Sequence, residues 1–177
     1  MLERLKRLVG LASAAGGGRA DLHVFRIEFE GQPRDVLSLI PINAAFEEGF
    51  PRASIIGFVR NPIQPGQAVF EIDENPEFVD LLHAVIARHA PSWPQFQKEA
   101  RRQKEGWIYV IDGRTPDPGG EVPGIDIIGA FELNSGVCCS DSYRRNPNHR
   151  LMTERGLFKL PPALHRVLLE QVSAMPD

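Results

Sequence analysis

The sequence predicts an α+β domain: a mainly antiparallel sheet of about six or seven strands, with three or four helices packed on one of its faces. Two observations carry this. Segments with apolar residues at every second position follow one another through short turn sequences, so hairpins dominate and no run of βαβ units appears. Three or four other stretches repeat their apolar residues at helical spacing. The 177 residues are enough to bury a core without metal or disulfide staples.

At the start of the chain Leu2, Leu5, Leu8 and Val9 recur at helical spacing, and Gly16-Gly17-Gly18 ends the pattern. Residues 1–18 are therefore expected as an amphipathic helix, over 2–14, and a glycine-rich joint. A single α+β domain then fills 19–177. Phe25, Ile27 and Phe29 alternate with Arg26, Glu28 and Glu30, the pattern of a half-buried strand. Gly31-Gln32-Pro33 predicts a turn, Val36 to Ile40 a second strand, and Asn43 to Glu48 one helical turn. Ala53 to Val59 is almost wholly apolar and reads as a central strand, and a fourth strand follows over Ala68 to Ile72.

The clearest helix covers 76–90. Asn75 can cap it, Pro76 suits its first position, and Phe78, Leu81, Leu82, Val85 and Ile86 form one stripe. A more polar helix is expected from Pro94 to about Lys104. Strands follow at Trp107 to Ile111, Ile125 to Leu133 and Val137 to Tyr143, the last two joined by a hairpin turn at Asn134-Ser135-Gly136. Residues 113–124 hold three prolines and four glycines, which marks a loop. A last helix opens at Pro161 or Pro162, with Leu164, Val167, Leu168, Val172 and Met175 on one face.

Composition narrows the classes of function. The formal net charge is −3, a poor basis for a dedicated nucleic-acid binder. The basic start and short apolar stretch imitate a signal peptide, but Gly10 breaks the stretch, and no run reaches the roughly 18 apolar residues of a membrane span. The two cysteines are neighbours, which strains any bridge between them and suits a reducing compartment. A cytoplasmic protein is expected. Sixteen arginines against four lysines, with abundant Ala, Gly and Pro, suit a GC-rich bacterial genome.

The densest chemistry lies at 138–150. Cys138 and Cys139 offer thiols, Asp141 a carboxylate and His149 an imidazole that could hold a thiolate. Arg144, Arg145 and Arg150 could bind an anion through their forked guanidinium groups. The competing reading makes the cysteines small core residues and the arginines part of a solvated loop. Cys138, Cys139 and His149 supply at most three ligands where structural zinc takes four, so no metal is expected, nor any cofactor. Asp112 and Asp126 flank the 113–124 loop and could form an acid/base or cation-binding pair, although such residues usually serve the turn itself. Lys98, Arg101, Arg102 and Lys104 follow Trp93 and Phe96, a combination that can grip single-stranded nucleic acid, here diluted by Glu99 and Glu105. His83, His89 and His165 read as structural.

The expected function is protein–protein binding, in an accessory, adaptor or immunity-like role, with Leu2, Leu5, Leu8 and Val9 as the interface. The partner is another protein or a second copy of the chain. The alternatives are an enzyme or ligand-binding protein using 138–150, and a weak nucleic-acid binder.

Overall fold

The computed structural model describes residues 7–8, 22–41, 51–61, 69, 71–116 and 121–174. The chain is α+β, and among the described residues every strand pair is antiparallel. Among the described residues the expected single sheet is instead three. One has five strands in the order β1 (Arg7–Leu8), β2 (His23–Phe29), β3 (Gln32–Ser38), β4 (Ile55–Val59) and β5 (Ile72–Glu74). A second has four, with β6 (Gly106–Ile111), β7 (Ile127–Asn134) and β8 (Val137–Cys138) in order and β9 (Arg144–Arg145) also paired to β7. The third is the pair β10 (Met152–Thr153) and β11 (Gly156–Leu157). Among the described residues there are three α-helices: α1 (Pro76–His89), α2 (Pro94–Gln103) and α3 (Pro162–Ala174). No helix among these residues is long and apolar enough to cross a membrane.

The chain divides into two compact units, residues 1–81 with 168–177, and residues 82–167. In the first, β2 follows its sequence pattern: Phe25 and Ile27 are buried while Arg26 and Glu28 face out. The β2–β3 turn is Glu30-Gly31, one residue earlier than the glycine-proline signal suggests. Both residues have positive φ (53° and 74°), the two-residue turn whose twist matches that of the strands. Pro33 then falls inside β3, opposite Glu28. This is tolerated because β3 pairs with β4 only over Val36–Ser38, so the missing N–H removes no bond from that ladder. Arg7 and Leu8 are extended and pair with Ile27 and Arg26. The outer edge of β2 offers backbone groups that a strand satisfies and a helix does not, so the expected helix is not formed at these two positions. The rest of residues 1–18, with the Leu2, Leu5 and Val9 positions and the Leu8 side chain, lies outside the described residues. So does the helical turn expected over 43–48.

Asn75 anchors the start of α1. Its Oδ1 accepts from the N–H of Glu77 (3.2 Å), and its Nδ2 donates to the carbonyls of Arg52 and Ile55, both at 2.7 Å. Phe78, Leu82, Val85 and Ile86 of the stripe are buried, and Leu81 is half-buried. Asn75→Ala removes a helix cap and takes one donor from each of two carbonyls. It should cost about 1–2 kcal/mol in urea-induced unfolding, and a cost indistinguishable from zero would show that Asn75 holds nothing.

In the second unit the β7–β8 turn is Ser135-Gly136, both at positive φ (50° and 79°), closed by Asn134 opposite Val137. The returning strand, expected unbroken to Tyr143, is interrupted by a 3₁₀ turn over Ser140–Ser142. Ser142 repairs the ladder: its hydroxyl donates to the Cys139 carbonyl (2.6 Å) and accepts from the Glu132 N–H (2.8 Å). The interruption turns Tyr143 onto the inner face of the sheet, against Phe131 (ring centroids 4.8 Å apart) and His83 of α1. Phe96 of α2 meets Phe131 on the same face, edge to face at 5.7 Å.

Candidate functional site

Two features of residues 82–167 combine charge or aromatic surface in a defined geometry. One is buried and one is exposed.

The buried feature joins the loop after β6 to residues 149–159. Asp112 is wholly buried. Its Oδ1 accepts from the backbone N–H of Arg114 (3.0 Å) and of Lys159 (2.9 Å). Its Oδ2 meets Arg114 Nη2 at 2.9 Å and His149 Nε2 at 3.0 Å. An ionised carboxylate only accepts, so His149 carries a proton on Nε2. Burial pushes the Asp112 carboxyl up, but the His149 hydrogen bond, the two amides and the Arg114 charge together outweigh it and hold it below its ordinary value. Arg114 extends the network, donating to Thr153 Oγ1 (2.9 Å) and to the carbonyls of Gly156 (3.1 Å) and Arg150 (2.7 Å). Asp126, also wholly buried, accepts from Thr115 Oγ1 (2.8 Å) and from Arg155, and its other oxygen lies 3.4 Å from Arg114 Nη2.

These contacts tie the two flanking aspartates into a buried ion-pair network. Both point at the Arg114 guanidinium. Two carboxylates, Asp112 and Asp126, face two guanidinium groups, Arg114 and Arg155. The knot closes loops; it has no exposed carboxylate to act on a substrate.

The residues at 138–150 are brought together only in part. Cys138 and Cys139 are free and half-buried. Burial, and to a lesser degree the neighbouring Cys139, push the Cys138 thiol up to about 11. His149 Nε2 is engaged with Asp112. Asp141 lies in the 3₁₀ turn. The arginines diverge: Arg144 lies over the Trp107 ring, 4.9 Å from its centroid, and Arg150 donates to the carbonyls of Pro147 and His149, both at 3.0 Å. Arg145 pairs one residue further along β9, opposite Gly129. A thiol so raised is almost wholly protonated near neutrality, and the thiolate is the nucleophile. Cys138 should therefore resist alkylation by iodoacetamide at pH 7 and label quickly only above about pH 10. Rapid site-resolved labelling at pH 7, read by peptide mass spectrometry, would contradict this.

The exposed feature is the outer face of the β6–β9 sheet. Register places Trp107 opposite Glu132, Tyr109 opposite Ala130, Ala130 opposite Arg144, and Asn134 opposite Val137. Residues directly opposite share a face, so Trp107, Tyr109, Ala130, Glu132, Val137 and Arg144 all look outward. Tyr109 is 51% exposed and Val137 66%. Ala130 is small enough for Arg144 to cross β7 and stack on Trp107, an arrangement that fixes a long side chain over an aromatic plane. Sequence reading missed this face. In Trp107-Ile108-Tyr109-Val110-Ile111 both sides of the strand are apolar, so alternation gives no sign of which side stays wet. The one available hint was that the larger, amphipathic rings occupy a single parity.

Two hydrogen bonds lie at and just beyond β6. Gln103 Nε2 donates to the Trp107 carbonyl (2.9 Å), and the Gly113 N–H donates to the Lys159 carbonyl (2.8 Å). The basic residues Lys98, Arg101, Arg102 and Lys104 are exposed on and just after α2, with Arg102 paired to Glu99. Of the two rings that precede them, Phe96 is buried against Phe131 and Trp93 is half-buried. Comparisons with protein-family profiles, curated proteins and solved structures find no match to this chain.

Proposed function

We propose that this protein acts by binding another protein, and that the outer face of the β6–β9 sheet is where the partner docks. The observation that carries the reading is that one sheet face holds the exposed Tyr109 and Val137 together with Arg144 stacked on the half-buried Trp107. Trp, Tyr and Arg are the residues that dominate binding energy at protein interfaces, because each buries a large area with few rotatable bonds or many fixed donors. The stack and the Asp112–Arg114 knot favour this further. Side chains and loops already ordered in the free protein lose less entropy on association.

The enzymatic reading of 138–150 has less support, since the Cys138 thiol is hard to ionise and His149 is committed to Asp112. An adaptor, accessory or immunity-like role in the cytoplasm of a bacterium is consistent with the proposal and belongs to it.

The test is a double substitution, Tyr109→Asp with Val137→Asp. Both side chains are largely exposed, so the melting temperature should stay within a few degrees of wild type. Partner binding, measured by native mass spectrometry of protein recovered from its own cells, should fall about tenfold or more. A variant that folds normally and retains its partner at full strength would remove this face from the account.

A further inference from the structure

We draw no further inference here: the strongest candidate, the exposed Trp107, Tyr109, Val137 and Arg144 face of the four-stranded sheet, belongs to the site already described, and nothing in the structure shows what covers it.

Discussion

Asp112→Ala should destabilise the folded chain by about 3–5 kcal/mol, the cost of breaking a buried ion pair from one side. The substitution strips Arg114 of its 2.9 Å carboxylate partner while leaving the guanidinium buried, and it orphans the amides of Arg114 and Lys159. His149 loses its acceptor as well. Asp112→Asn should cost less, because an amide oxygen can still accept from the two backbone N–H groups, although its NH₂ then faces Arg114. The pH dependence follows from linkage. The folded carboxyl titrates below its unfolded value, so its stabilising contribution is fully present above the ordinary aspartate range near 3.9 and is lost as pH falls through the folded pKa. The gap between wild type and Asp112→Ala in urea unfolding should therefore be widest at neutral pH and shrink in strong acid. A cost below about 1 kcal/mol at pH 7 would mean that the knot is not what closes these loops.

Gly129→Ala should cost about 2–3 kcal/mol, a large penalty for one methyl group. A Cβ at this position would stand 2.5 Å from Tyr143 Oη and 2.7 Å from two of its ring carbons. Tyr143 has little room to yield: it touches Phe131, and its hydroxyl is 2.7 Å from His83 Nδ1. Burial raises the pKa of that hydroxyl, so it remains a neutral phenol across the physiological range. The cost is specific to the pair. In a Tyr143→Leu background, where the clashing hydroxyl and far ring carbons are gone, Gly129→Ala should cost less than about half as much. Equal costs in both backgrounds would place the strain elsewhere in β7.

Local signals were legible in the sequence. Asn75-Pro76 marks a helix start because the amide has to satisfy donors that a first turn leaves open. Asn134-Ser135-Gly136 marks a hairpin because two successive residues at positive φ exclude most side chains. Phe25 and Ile27 show their buried face because Arg26 and Glu28 cannot share it. Partition of the strands into three sheets was not legible, since pairing is decided by contacts far apart in sequence and each strand reads the same whichever neighbour it takes. Nor was the break at Ser140–Ser142, where a serine hydroxyl replaces a ladder carbonyl and Tyr143 turns inward onto a glycine.

The charged knot was legible as two flanking aspartates and nothing more. Arg114, His149 and Arg155 join Asp112 and Asp126 only once the chain has folded. The exposed face was hidden for the opposite reason, because a strand apolar on both sides looks like one buried on both sides.

The claim that the outer sheet face is a docking surface is tested most directly by hydrogen–deuterium exchange on the natural complex, comparing the chain with and without its partner. The proposal predicts slowed exchange concentrated in 106–111, 127–138 and 144–145, with the buried segments around Asp112 and His149 unchanged. Protection confined to other segments, with these strands exchanging at the same rate free and bound, would contradict it.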